Sequence, residues 1–195
     1  PQTTATDAGA VIWMTSALGR VGTIGAANAL IGSNVDDFVG YNIMPLTNGN
    51  YVVINPFWGN QNLGAITWAN GKTGLAGVVS SSNSIVCSTS QDGLGWGDNR
   101  NFALDNGSYV ISTPNWDNGA IANAGAVFWS DGTTPISGTL SAANALVGTS
   151  TDDLVGTEVR PLLGGGFVVA SPNWNNGATA DVGAVTWASG TSPIK

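Results

Sequence analysis

The chain repeats one phrase four times. Gly-Ala-hydrophobic-X-Trp stands at Gly9–Trp13, Gly64–Trp68, Gly125–Trp129 and Gly183–Trp187. Successive copies lie about 58 residues apart, a period that marks one supersecondary unit used again and again. Between the copies the same words return in the same order. Asn28, Asn83 and Asn144 come first, then Asp37, Asp92 and Asp153, each three residues before Gly40, Gly95 and Gly156. A glycine turn, a β-branched run and a Pro-X-Trp-X-Asn signature follow, at Pro56–Asn60, Pro114–Asn118 and Pro172–Asn176. A unit of this size buries its apolar face against its neighbours, so the fold must accept the same element end to end. The chain is therefore read as a single repeat domain over 1–195, with repeats at approximately 9–63, 64–124 and 125–182 and an extra terminal strand at 183–195.

Local signals within each repeat are those of β-hairpins. Ile43–Leu46 and Tyr51–Ile54 flank Asn48-Gly49, and Asn-Gly accepts the positive φ of a tight hairpin turn. Asn106-Gly107 precedes Tyr109-Val110-Ile111 in the same way, and Gly164-Gly165-Gly166 precedes Phe167-Val168-Val169. Each run then meets a proline, which ends ladder pairing. The Gly-Ala-hydrophobic-X-Trp strand follows, and a fourth strand is expected at Val21–Ile24, Leu75–Val79 and Ile136–Leu140. The segment from Ser141 to Gly148, with its partners near Ala26 and Ser81, is too short and too glycine-bounded for a helix. The expected fold is all-β, with propeller-like blades of four antiparallel strands. A β-solenoid is the alternative, against which the proline-ended hairpins argue.

Phe38-Val39-Gly40, the run Tyr51–Pro56 and the strand Gly64–Trp68 resemble the repeats of integrin-α-type (FG-GAP-like) propellers. The wording is still more similar to the tandem repeats of large bacterial surface proteins of the filamentous-haemagglutinin and adhesin type. The resemblance implies blade architecture and a place outside the cell. Integrin-type blades carry a calcium loop before the valine-rich strand, but Thr47–Asn50, Asp105–Ser108 and Leu163–Gly166 supply one carboxylate among three turns. Calcium takes several oxygen ligands including carboxylates, so that site is not carried over. Four Gly-Ala-X-X-Trp strands against three copies of the remaining elements leave three arrangements open. The chain is a slice of a longer array, two chains make a six-bladed ring, or the terminal strand pairs with a neighbour in a head-to-tail filament.

Composition limits the chemistry. Only 9% of the 195 residues are charged, five Lys and Arg stand against twelve Asp and Glu, and the net charge is −7. That lacks the basic footprint of nucleic-acid binding. There is no apolar run of 18 residues or more, so no membrane insertion is expected, and no charged-then-apolar leader opens at Pro1. With no His, one Cys and one Glu the usual catalytic constellations are absent. No enzyme activity, cofactor or metal is expected. Cys87 stands where the sister repeats have Gly32 and Gly148, as a drifted small residue.

Asp37, Asp92 and Asp153 are expected to accept backbone N–H bonds in a turn. Asp36-Asp37 and Asp152-Asp153 are adjacent carboxylates that strand geometry would turn to opposite faces. Trp13, Trp68, Trp129 and Trp187 are expected to pack between blades. Trp58, Trp116 and Trp174 sit in polar loops. They either cap the blade ends or, with Asn60, Asn118 and Asn176, stack and bond a sugar. Trp96 has no counterpart in the other repeats. It lies with Gln91, Gly93 and Asp98-Asn99-Arg100 in the one stretch where the middle repeat departs, the place to look for a contact of its own. Asn106-Gly107-Ser108 is a formal glycosylation acceptor. The expectation is a non-enzymatic protein, extracellular or on the cell surface, serving surface structure, self-assembly or adhesion. Its partner would be itself, through unpaired terminal strands. The alternative is a lectin binding glycans at one site per repeat.

Overall fold

A computed structural model describes residues 5–15, 22–97 and 100–194. Its strands form four small sheets. In the second sheet β3 (Asn42–Pro45), β4 (Tyr51–Asn55), β5 (Ala65–Ala69) and β7 (Ile85–Val86) pair antiparallel in that order. The third sheet repeats the pattern with β8 (Phe102–Ala103), β9 (Tyr109–Thr113), β10 (Ala126–Ser130) and β12 (Ala145–Val147). The first sheet contains β1 (Ala10–Val11) and β2 (Leu30–Ile31), and the fourth β13 (Glu158–Pro161), β14 (Phe167–Ser171) and β15 (Ala184–Ala188). The Asn-Gly hairpin forms as its sequence dictates. Leu46 N–H donates to Asn50 O at 2.8 Å, and Gly49 takes φ 87°.

Two further strands tie the sheets together. β6 (Gly77–Val78) follows β5 in the chain yet pairs, parallel, with β2 of the sheet before, Leu30 opposite Gly77. β11 (Gly138–Thr139) follows β10 and pairs in the same way with β7 of the second sheet. The chain then crosses to its own sheet through the turn that carries the repeated asparagine. Asn28, Asn83 and Asn144 Oδ1 each accept a backbone N–H at 2.9 Å, from Gly25, Ser80 and Ser141. Their Nδ2 groups donate to Thr23, Val78 and Thr139 carbonyls. One amide thus holds both ends of the crossing.

Alternate residues of the inner strands go to opposite faces. Val52, Ile54, Ile66 and Trp68 enter a core closed from the other side by Tyr109, Ile111, Ala126 and Phe128. Val53 and Ala65 enter another with Val11 and Leu30. Val110, Val127 and Trp129 enter a third with Phe167 and Val169. The four sheets therefore stack face to face over three cores. Trp68 and Trp129 pack in this stack as expected, and Trp13 Nε1 donates to Gly71 O at 3.0 Å and Trp68 Nε1 to Gly132 O at 2.8 Å, one repeat onward. Trp187, expected to pack likewise, is exposed because no sheet lies over it. At the hairpin edge Asn48 Nδ2 donates to the carbonyls of Gly107 and Gly132, and Asn106 Nδ2 to that of Gly190. The formal glycosylation amide is thus already engaged between repeats.

All-β tandem architecture is as expected, with one correction to the strand inventory. The strand that flanks the Gly-Ala strand antiparallel is the segment after the repeated asparagine, at Leu30–Ile31, Ile85–Val86 and Ala145–Val147, and it is the fourth antiparallel strand of the second and third sheets. The glycine-rich strand expected in that place, at Leu75–Val79 and Ile136–Leu140, belongs to the preceding sheet and runs parallel there. The physical reason is the asparagine crossing, which reverses the chain before two or three residues too short to signal a strand. Val21 lies outside the described residues. Replacing Asn83 with Ala should cost about 1–2 kcal/mol, since it removes the bonds to Ser80 and Val78 at a joint between sheets. Urea denaturation at neutral pH measures this.

Candidate functional site

Opposite the hairpin turns, the Pro-X-Trp loops line the other edge of the stack, and one buried aspartate serves each of them. Asp37 is fully buried, and its Oδ2 accepts the N–H groups of Ser33 and Asn34, both at 2.8 Å. Its Oδ1 accepts the Gly59 N–H at 2.8 Å, from the residue after Trp58. Asp153 repeats the pattern with Thr149 and Ser150 on Oδ2 and Asn175 on Oδ1. Backbone bonds join the flanking residues to the previous loop: Asp152, Leu154 and Val155 donate to Ala122, Asn123 and Ala124 carbonyls. The carboxylate therefore clamps one loop to the next. Residues on both sides of it adopt positive φ, Asp36 62° and Phe38 45°, Asp152 61° and Leu154 48°. Such conformations cost roughly 1–2 kcal/mol each in non-glycine residues. The first glycine of the Gly-Ala phrase is explained here too. A Cβ on Gly64 or Gly125 would meet the backbone nitrogen of Leu94 or Val155 at 2.2 or 2.3 Å.

The middle clamp differs. Gly148 has no room for a side chain, its Cβ falling 2.8 Å from that of Asp153, but Cys87 occupies the corresponding place as a buried free thiol. Asp92 Oδ2 accepts one backbone N–H, from Thr89 at 3.1 Å, and Oδ1 accepts that of Asp117 at 3.1 Å. Burial pushes its carboxyl up to about 6; the Asp117 and Thr89 N–H groups oppose the rise and the Asp117 charge adds to it. Burial likewise raises the Cys87 thiol above its ordinary range.

The sequence-predicted sugar residues are placed differently from an exposed platform. Trp116 is 4% exposed and belongs to the core between the second and third sheets. Trp58 and Trp174 are half-buried, packed against the first and last cores. The Trp58 and Trp116 indole nitrogens are buried without a partner. Asn118 bridges to Ile121 and Asn176 to Thr179 within their own loops, while Asn60 is exposed. These loops close in one way, with Gly64, Gly125 and Gly183 N–H donating to Trp58, Trp116 and Trp174 carbonyls. The adjacent carboxylates diverge, Asp37 and Asp153 buried, Asp36 and Asp152 exposed, but through a turn at positive φ rather than through the strand alternation expected.

Two open surfaces stand out among the described residues. The first is the outer face of the fourth sheet. Gly95 seats against Ile54 and Ile66, and Gly156 against Ser112 and Val127, with added Cβ atoms coming within 3.0 Å of all four. The counterparts Ala170 and Val185 instead line an open groove of about 510 Å³ together with Pro172, Val182 and Gly183. Val185 is 75% and Trp187 65% exposed, whereas Ile66, Trp68, Val127 and Trp129 are buried at the same positions. The second is an aromatic cluster. The Phe57 ring meets Trp96 at 4.8 Å, Tyr41 at 5.0 Å and Phe38 at 5.6 Å between centroids, each edge to face. Of these rings the sequence marks only Trp96 as a contact candidate, and Tyr41 proves to be its counterpart in the first repeat, each following the glycine of Asp-X-X-Gly. The signal for the others was available, because Phe57 stands where its sisters are Asn115 and Asn173, and Phe38 where they are Gly93 and Leu154. Asp98 and Asn99 lie outside the described residues.

Replacing Asp153 with Ala leaves three N–H groups without their acceptor, at about 1–3 kcal/mol for each that stays dry. A loss of about 3 kcal/mol or more is expected in urea denaturation, against a small effect for Asp152→Asn. Asp92 sets a pH dependence of opposite sign to that of an ordinary clamped carboxylate. Its folded pKa of about 6 exceeds the unfolded value of about 3.9. The stability linked to its proton is full below the unfolded value and is lost as pH rises through about 6. The stability of Asp92→Asn should fall less than that of the parent between pH 4 and 7.

No curated protein matches the chain. One family matches along nearly its whole length, with units that open near the hairpin strands rather than at the Gly-Ala phrase. It covers residues 1–41, 45–96, 103–157 and 161–195, and the chain thus belongs to the tandem-repeat family described as a repeat of unknown function, DUF5650.

Proposed function

We propose that this is a non-enzymatic structural repeat protein of the cell surface or extracellular space, and that it works by stacking repeat on repeat. The observation that carries this is the open groove between Ala170 and Val185, the place where Gly95 and Gly156 seat in the two joints before it. Its occupant is the Asp-X-X-Gly segment of a further repeat of the same kind. In a second copy that segment is Phe38–Gly40, which now packs against β1. Because Gly183–Trp187 and Gly9–Trp13 share one phrase, β15 of one copy takes the place of β1 in the next and the copies join head to tail. The polar side chains that recur are spent on holding the joints, which supports a structural rather than a catalytic role. The likeness in wording to integrin-type blades and to large bacterial adhesin repeats supports the location and a part in surface structure or adhesion.

Sedimentation velocity over a concentration series tests this. The mass of the full chain should grow with concentration, and Trp187→Glu should stay monomeric. Gly9→Val should associate more strongly, since its side chain would strike Val39 N, 2.2 Å from the added Cβ, and expel β1 from the slot. A parent chain and a Gly9→Val variant that both remain monomeric would overturn the proposal.

A further inference from the structure

Phe38, Tyr41, Phe57 and Trp96 come from three separate segments and two repeats, yet they form one contact group at the loop edge. Nothing in the stack requires it. At the joint of the second and third repeats the corresponding residues are Gly93, Trp96, Asn115 and Thr157, a single ring among four positions. Phe38 is 40%, Tyr41 58% and Trp96 53% exposed, while Phe57 is half-buried beneath them. The rings thus leave much of their surface to water, which is unfavourable unless something covers it. Phe38 is held there at φ 45°, where a bulky side chain is strained. The edge-to-face contacts fix the rings against one another.

The surroundings say what could cover them. Asn60, Gln61 and Asn62 follow Phe57 in the chain, and Gln91 precedes Trp96; all four residues are exposed. Gln91 and Gly93 N–H groups donate to Gln61 and Asn62 carbonyls, which brings the two segments side by side. Amides offer donors and acceptors together without net charge. The nearby Arg100 is committed through Nε to the Thr157 carbonyl at 3.1 Å. Fixed rings bordered by neutral amides suit a ligand with an apolar C–H face and a rim of hydroxyls. That is the chemistry of a pyranose ring, whereas a purely apolar partner would leave the amides unpaired.

We infer that Phe38, Tyr41, Phe57 and Trp96, with Asn60, Gln61, Asn62 and Gln91, form a single carbohydrate-binding platform at the joint of the first two repeats. It is one site for the chain, not one per repeat, and it does not use Trp116 or Trp174. Phe38 also borders the segment proposed to enter the groove of another copy, but Trp96 belongs to neither self-association surface, so its substitution tests sugar binding apart from assembly.

The test is isothermal titration of the full chain with cellohexaose, xylohexaose, mannohexaose and chitohexaose, with tryptophan emission followed in parallel. At least one oligosaccharide should bind, Trp96→Ala and Tyr41→Ser should each weaken it at least tenfold, and Trp187→Glu should leave it unchanged. Both patch substitutions lie at exposed positions, and unchanged thermal unfolding shows that they fold. Failure of all four sugars to bind, or binding that survives Trp96→Ala, would overturn the proposal. So would a parent chain that self-associates through this patch, becoming monomeric on Trp96→Ala while ignoring sugars.

Discussion

Each joint in this protein closes around a buried carboxylate. Asp37, Asp92 and Asp153 lie in the interior, where an ion without partners would be intolerable. The N–H groups aimed at them come from two loops that extend neighbouring sheets, one after the short strand of one sheet and one inside the hairpin of the next. Satisfying the charge therefore forces one loop to sit at a fixed distance from the next. The flanking positive-φ residues and the glycine that opens each Gly-Ala phrase follow from that requirement, because the chain must fold tightly around the carboxylate and pass close behind it. Charged groups are otherwise scarce here, and the three that are buried set the spacing of the stack.

Interlocking strands add a second constraint of a different kind. Since β6 and β11 each complete the sheet before their own, a repeat cannot form its sheet fully without the one that follows. Sheets related in this way share both hydrogen bonds and a core, so cooperativity runs along the array. The asparagine crossing and the hairpin-edge bonds from Asn48 and Asn106 work at opposite edges of the same stack. The middle repeat shows how far the unit tolerates change. There Cys87 stands in place of glycine, Asp92 Oδ2 accepts a single backbone N–H, and burial drives the Asp92 carboxyl up to about 6.

The surfaces proposed to act lie where the stack leaves residues uncovered. Positions that recur are consumed by the joint, as the indole of Trp116 is consumed by the core. The aromatic cluster joins Phe38 and Phe57, which do not recur, to Tyr41 and Trp96, which hold one position in successive repeats, and the stacking of the first two repeats draws them together. The outer face of the fourth sheet carries recurrent residues, but there they remain uncovered.

By itself the sequence determined the period, the all-β hairpins, the backbone-accepting role of the three aspartates and the tightness of the turns, because each rests on a local rule: alternation, Asn-Gly chemistry, or a residue type that can satisfy a backbone donor. Tertiary structure alone decided that the short strand after each asparagine completes the blade and that the glycine-rich strand crosses to its neighbour. Two residues carry too little pattern to announce a strand, and their partner lies in another repeat. It decided equally that Trp116 is buried while Trp96 is exposed, and that Phe57, Tyr41 and Phe38 meet Trp96. Both loops look polar in sequence, and burial depends on which sheet comes to rest over each ring.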